Sequence, residues 1–228
     1  MNLLLLHGAI GSSEQLLPLR DALGPEHSLY TLDFSGHAGK RLNGSAFSIE
    51  LFARETLAFL DQNNIDKINI FGYSMGGYVA LYLAKRHPER VNKIVTLATK
   101  FHWDEATSAK EVQMLNPEKI SQKLPAFAET LRLRHAPNDW QRVLRLTGEM
   151  MLTMGADNPL KTEDLATVAT PTLVMLGDRD KMVTLDETVS AYRALPNAQL
   201  CVLPNTPHPI EQVDARQVVQ IIERFLAS

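Results

Sequence analysis

Six short apolar runs, each followed by a loop and a helix-like pattern, constrain this chain more than any other feature of its sequence. They span residues 3–6, 29–34, 68–71, 94–97, 173–176 and 199–203. Between them, residues 49–63 carry Leu51, Phe52, Thr56, Leu57, Phe59 and Leu60 at helical spacing, and residues 78–86 form a second such segment closed by Pro88. Residues 215–226 place Val218, Val219, Ile222, Phe225 and Leu226 on one helical face. A strand with no polar alternation has no face to give to water. Such strands suit a parallel sheet covered on both sides, and alternation with helices supplies right-handed crossovers. The expectation is an α/β sandwich with a mostly parallel sheet of about six strands, flanked by helices.

Residues 99–170 break that rhythm. They contain no strand signal, only helix-like pieces punctuated by Pro117, Pro125, Pro137, Gly148 and Pro159. The stretch is too long for a crossover and too patterned for a loop. The expected organisation is a core of residues 1–99 and 171–228 with a helical cap of residues 100–170 lying over one end of the sheet. The 228 residues suffice for one well-cored domain. A net charge of -3 argues against a nucleic-acid partner. No run approaches the ~20 apolar residues a membrane span needs, so no membrane insertion is expected. The apolar run at residues 3–6 is too short for a signal peptide and lacks a basic leader, which makes a cytoplasmic protein, monomer or homodimer, the default. The single cysteine, Cys201, lies in an apolar stretch and reads as a buried structural thiol.

The strongest local signal is Gly72-Tyr73-Ser74-Met75-Gly76-Gly77, directly after one strand and before a helix. A serine in so sharp a turn is held in a strained conformation with its hydroxyl projecting, and glycines two residues to either side avoid collisions. The Met75 amide then sits at a helix N-terminus, where it can stabilise a developing oxyanion. The loop His7-Gly8-Ala9-Ile10-Gly11-Ser12-Ser13 follows the first strand, and loops at the carboxyl ends of parallel strands converge. Ala9 is therefore the candidate for a second oxyanion amide. His7 reads as a histidine that holds this loop, and is kept among the residues able to contact substrate; Ser12 and Ser13 read as helix caps. A serine hydroxyl needs a base, and the base needs an orienting partner. His208, between Pro207 and Pro209 after the last strand, is the candidate base. The loop Gly177-Asp178-Arg179-Asp180 after the preceding strand offers two carboxylates; Asp180 is the chosen partner, with Asp178 capping the turn or pairing with a basic neighbour.

At these residues the sequence resembles the α/β-hydrolase superfamily. Ser74, Asp180 and His208 match its chain order of nucleophile, acid and histidine. His7-Gly8 is similar to its oxyanion-loop HG, Asp33-Phe34-Ser35-Gly36-His37 to its DxxGHG segment, and Gly177 to Asp180 to its GxxD. The resemblance covers residues 3–99 and 171–226. It implies an α/β-hydrolase fold whose cap falls where the helical stretch lies, and two-step acyl transfer through Ser74 with neither metal nor organic cofactor. Two departures stand out: no strands precede the HG strand, and Ala38-Gly39-Lys40-Arg41 replaces the usual continuation after GH. The expected activity is hydrolysis of a carboxylic ester with a small to medium acyl group, its partner being a small-molecule acyl substrate. Thioester, C–C bond and peroxide-dependent chemistry share the triad, and a ligand-binding protein without turnover is the rival of another class. The run Glu149-Met150-Met151-Leu152-Thr153-Met154 suits an adaptable apolar pocket. Met150, Met154, Trp103, Trp140, Tyr73 and Met182 join His7 as candidate substrate contacts. Arg132, Arg134, Arg142 and Arg145 read first as a solvated face.

Overall fold

The computed structural model describes residues 2–42 and 44–228. Its centre is a six-stranded, wholly parallel sheet built from β1 (Asn2–Leu6), β2 (Ser28–Leu32), β3 (Ile68–Tyr73), β4 (Val91–Leu97), β5 (Thr172–Gly177) and β6 (Ala198–Leu203). The strand order is β2-β1-β3-β4-β5-β6. Helices α1 (Leu17–Leu23), α2 (Ile49–Gln62) and α3 (Met75–Arg86) connect the first four strands. Between β4 and β5 the chain runs only through helices: α4 (Glu105–Val112), α5 (Pro117–Lys123), α6 (Pro125–His135), α7 (Trp140–Ala156) and α8 (Thr162–Leu165). Then α9 (Leu185–Ala194) leads to β6, and α10 (Ala215–Ala227) closes the chain. None of the described helices is long and apolar enough to cross a membrane.

The unbroken apolar runs have a simple cause. Leu4 and Leu6 of β1, Ile70, Ile94 and Val174 face one layer, packed by Phe52, Leu60, Val79, Leu83 and Ala191 of α2, α3 and α9. Leu3 and Leu5, Phe71, Val95 and Leu173 face the other, packed by Leu19 and Leu23 of α1 and by Val218, Ile222 and Phe225 of α10. Successive residues point to opposite faces, and both faces are buried along most of β1, β3, β4 and β5, whereas the edge strands β2 and β6 leave positions such as Val202 exposed. The helical excursion is not a separate core: Val143, Leu146, Met150 and Met154 of α7 join the first layer. A smaller cluster of Ile120, Leu131 and Leu144 packs with Trp140 and with Ile10 of the loop after β1. Cys201 is partly buried against the second layer, and burial pushes its thiol up.

Strand order fixes where the loops meet. From β1 the chain passes to β2 on one side, then returns across β1 to β3, so direction reverses between β1 and β3. The loops leaving these neighbours diverge to helices on opposite faces, α1 on one and α3 on the other. The crevice between them is the usual ligand position in an open parallel sheet.

Three buried histidines knit the loops on this side. His7 Nδ1 donates to the Gly8 carbonyl at 2.7 Å while its Nε2 accepts from the Phe34 amide at 3.1 Å. His135 of α6 donates from Nε2 to the Ile10 carbonyl at 3.0 Å and accepts at Nδ1 from the Ala38 amide at 3.3 Å. His37 donates from Nδ1 to the Ser35 carbonyl, and its ring lies 5.1 Å from that of His7 and 5.6 Å from that of His135. Each of His7 and His135 uses one nitrogen as donor and the other as acceptor, a pattern only the neutral ring can supply. Burial is the main cause holding His7 and His135 down at about 4, and it drives His37 well below the ordinary range. The unfolded chain, with ordinary histidines near 6.5, therefore binds more protons than the folded one between about pH 4 and 6.5. Stability is full above that window and is lost as pH falls through it. Urea unfolding followed from pH 7.5 to 4 should show a decline approaching about 1.4 kcal/mol per pH unit for each such histidine; a flat profile would show that these rings do not stay neutral.

Candidate active site

Strand β3 ends at Tyr73 and α3 starts at Met75, leaving Ser74 alone to make the turn. Its φ of 51° and ψ of -116° are costly for any residue with a Cβ, of order 1–3 kcal/mol. Hydrogen bonds on both sides hold it there. The Ser74 amide donates to the Leu97 carbonyl at 2.8 Å, and the Ser74 carbonyl accepts from Thr99 Oγ1 at 3.0 Å. Two glycines make the approach possible. A Cβ at Gly76 would run into the backbone carbonyls of Leu6 and His7, and one at Gly72 into the backbone of Gly77. The start of α3 is thus pressed against the end of β1, and Gly8 sits against Ser74 itself. Ser74 is half-buried, Met75 is the first residue of α3, and Ala9 shares a cleft with both. The first amides of a helix have no partner within it, so Met75 N–H is placed as a donor toward this end of the sheet.

The loops after β5 and β6 bring Asp180 and His208 together. Asp180 Oδ2 lies 2.7 Å from His208 Nδ1, and its Oδ1 accepts from the amides of Met182 and Val183, each at 2.8 Å. Asp180 is enclosed, its side chain 1% exposed, whereas Asp178 is 36% exposed. Asp178 accepts from the Thr206 amide at 3.2 Å and lies beside Arg179, so it braces the loop that carries His208. Tyr73, the residue before Ser74, donates its hydroxyl to the His208 carbonyl at 3.0 Å, and the two rings are 5.6 Å apart. Burial first, then Glu211 and Asp180, push the Tyr73 phenol upward, which keeps it a neutral donor. The histidine loop is therefore seated on the residue adjoining the serine turn.

A narrow cleft with about 40 Å³ of enclosed space opens at Ser74. Its walls are Ala9, Ile49, Met75, Tyr78, Trp103 and the methionines Met150, Met151 and Met154, with Lys100 at one side. Trp103, Met150 and Met154, expected as substrate contacts, do lie on it. Four others expected there lie outside this lining. His7 is fully enclosed and spends both nitrogens on the backbone. Tyr73 is buried beneath the histidine loop. Trp140 packs in the small α5–α6–α7 cluster, and Met182 serves Asp180 and Lys100 through its backbone. A sequence pattern reports proximity along the chain, and these four are near the site without facing the cleft.

Residues absent from the sequence expectation are Ile49, Tyr78 and Lys100. Tyr78 and Ile49 read there only as helix residues. The Tyr78 hydroxyl hydrogen-bonds Asn158 and accepts from the Leu160 amide at 3.1 Å, tying α3 to the end of the helical excursion. Of the arginines, Arg132 and Arg145 pair on the surface with Glu129 and Asp139, while Arg134 grips the Ile10 carbonyl at 3.2 Å and Glu211 at 3.4 Å. Lys40 binds the Asp33 carbonyl at 2.8 Å rather than standing free at the rim.

The comparison with known proteins agrees with this architecture. The family model for the alpha/beta hydrolase fold matches residues 2–139, and the chain belongs to that family. It is 29% identical to the dihydrolipoyllysine-residue acetyltransferase component of the acetoin cleaving system of Pseudomonas putida, covering 98% of this chain but 63% of that protein. The chain thus spans less than two thirds of that relative's length. It is 27% identical to the poly(3-hydroxyalkanoate) depolymerase of Ectopseudomonas oleovorans, covering 98% of this chain and 83% of that one. Among solved structures, a thermophilic esterase from Thermogutta terrifontis superposes with a TM-score of 0.80 at 22% identity, covering 100% of this chain and 89% of the other; at that identity the likeness is one of fold.

The tight approach of α3 to β1 yields a stability prediction. Gly76→Ala should cost about 1–3 kcal/mol or more, because the obstacle is backbone and cannot swing aside. Guanidinium unfolding would measure it, and a loss below 0.5 kcal/mol (on the order of an ordinary surface change) would mean that the contact yields.

Proposed function

We propose that this protein is a serine hydrolase that cleaves carboxylic esters of small to medium acyl groups through an acyl-enzyme on Ser74. The observation that carries the reading is the 2.7 Å contact of Asp180 with His208 Nδ1, on loops seated beside the strained Ser74 turn. With Nδ1–H given to the carboxylate, His208 keeps its lone pair on Nε2. In the proposed reaction Nε2 takes the Ser74 proton as Oγ bonds to the ester carbonyl carbon. Asp180 stabilises the imidazolium, and the amides of Met75 and Ala9 receive the oxyanion, each donor worth about 3 kcal/mol. The imidazolium then protonates the departing alkoxide. Water, deprotonated by the same nitrogen, releases the acid and restores Ser74. These steps call on no metal or cofactor. The helices between β4 and β5 act as the cap that supplies α7's methionines to the acyl side.

The lining favours an apolar acyl group. Ile49, Met150, Met151 and Met154 offer it dispersion contacts with adaptable shape. The charged member, Lys100, has its ammonium within 2.8 Å of the Met182 carbonyl and near Glu111 and Glu187, so it is spent within the protein and not offered to a substrate carboxylate. That favours a neutral ester over an acidic substrate of the kind named in one relative, the 2-hydroxymuconate semialdehyde hydrolase of Pseudomonas putida. The relative named as a poly(3-hydroxyalkanoate) depolymerase is in keeping with it.

The decisive test is labelling with a fluorophosphonate, together with turnover of p-nitrophenyl acyl esters, thioesters and a β-diketone panel. Wild type should label and hydrolyse esters best, and Ser74→Ala should do neither. A folded wild type that neither labels nor turns over any ester would sink the reading in favour of ligand binding without catalysis. Asp180→Asn should lower turnover on the order of 10⁴-fold, and Asp178→Asn less than about tenfold. In the cleft, Met154→Trp should shift preference from butyryl toward acetyl esters by roughly tenfold or more in kcat/KM, since each excluded methylene is worth about 1–3 kcal/mol; unchanged chain-length preference would remove Met154 from the acyl site.

A further inference from the structure

We propose that Lys100 is a positioning residue for the Asp180–His208 pair, acting on it through the peptide bond between Met182 and Val183. The inference rests on the reading of Ser74, Asp180 and His208 as the reacting set. Lys100 lies in the loop after β4, remote in sequence from the loop after β5 that carries Asp180. Its ammonium donates to the Met182 carbonyl at 2.8 Å. That carbonyl belongs to the same peptide group as the Val183 amide, which donates to Asp180 Oδ1 at 2.8 Å. The other oxygen, Oδ2, holds His208 Nδ1 at 2.7 Å. A single peptide unit is thus clamped with a cation at its oxygen and a carboxylate at its hydrogen. Each contact polarises the unit in favour of the other, and the plane cannot turn without losing both.

The surroundings make the ammonium a fixed part rather than a free hand. Its side chain is 14% exposed, with Glu111 Oε1 at 3.4 Å and Glu187 Oε2 at 3.7 Å. Glu187 also accepts from the Phe101 amide at 3.1 Å and from the Thr184 amide at 3.1 Å. The cluster therefore joins the exit of β4, helix α4 and the Asp180 loop at one point on the cleft wall. Without the ammonium, Glu111 and Glu187 stand uncompensated near the pair and the Val183 amide becomes a weaker donor. Both changes leave the charge of Asp180 less compensated, make the potential at His208 more negative and favour the protonated imidazole. The free base that Ser74 needs then forms only at higher pH. Among the described residues, Tyr73 lies beneath His208 and itself feels Glu211, Asp180 and Arg134, and Asp178 with Arg179 occupies the adjoining loop; none of these is altered by the substitutions below.

The test is the pH dependence of fluorophosphonate labelling of Ser74, compared in wild type, Lys100→Met, Lys100→Arg and Glu111→Gln, with thermal unfolding to show that each is folded. Lys100→Met should move the midpoint of the labelling profile upward by about half a unit or more and slow the limiting rate on the order of tenfold. Lys100→Arg, which can reach the same oxygens, should restore most of both. Glu111→Gln removes one of the compensated charges and should move the midpoint the opposite way, so it decides the matter if Lys100→Met does not fold. In ester turnover the loss should fall on kcat with KM nearly unchanged. A Lys100→Met midpoint equal to that of wild type overturns the role of Lys100 while leaving Ser74 as nucleophile. A rise in KM alone would instead make Lys100 a substrate contact and overturn it too. Wild type that takes no label at any pH would remove the Ser74 reading itself, and this inference with it.

Discussion

The site depends on the contact between two backbones at the carboxyl end of the sheet, where the first turn of α3 lies against the last residues of β1. Gly76 can occupy that contact because it presents no Cβ to the carbonyls of Leu6 and His7. The approach brings the loop of Gly8 and Ala9 beside Ser74, and it leaves the serine no relaxed conformation to adopt. The strain is sustained by hydrogen bonds to Leu97 and from Thr99, which belong to the neighbouring strand and its loop. A turn of this kind could not persist in an isolated peptide; the sheet over-determines it.

Two groups of buried polar side chains complete the frame, and they solve the problem of burial in opposite ways. His7, His37 and His135 are uncharged. Two of them are matched donor for acceptor to backbone groups of the loops after β1 and β2. Lys100, Glu111 and Glu187 form a charged cluster, its members held close together on the far side of the cleft. A neutral ring costs little to bury if its hydrogen bonds are met, whereas a charge must bring its partners with it. The first arrangement secures the loop proposed for the oxyanion, the second the loop of Asp180. Between them lies an apolar cleft whose methionines come from α7.

The architecture was largely legible in the sequence because the physics behind it is local in period. Runs such as residues 3–6 and 173–176 are apolar throughout because each strand is covered on both faces, and they fall within β1 and β5. The excursion between β4 and β5 announced itself by prolines and the lack of strand signal, and it is helical. The glycine spacing around Ser74 was readable since only a backbone collision explains it. By contrast, Trp140 and Met182 were expected on the cleft from composition and neighbourhood. One packs against Ile120, Leu131 and Leu144, and the other contributes its backbone. Direction of a side chain on a helix in a multi-helix excursion depends on how the helices stack, which no period reveals.

The sequence by itself determined the parallel sheet, the serine turn after β3 and the residue types at the ends of β5 and β6, because strand burial, steric demand and turn chemistry act over a few neighbouring residues. Tertiary structure alone decided which partner each group meets. It seated the His208 loop on Tyr73, turned Trp140 and Met182 away from the cleft, and brought Lys100 to the Met182 carbonyl 82 residues further along the chain. Those outcomes follow from the stagger of loops at the edge of a twisted sheet and from the cost of burying any charge unpaired, and both are settled only when distant segments are packed together.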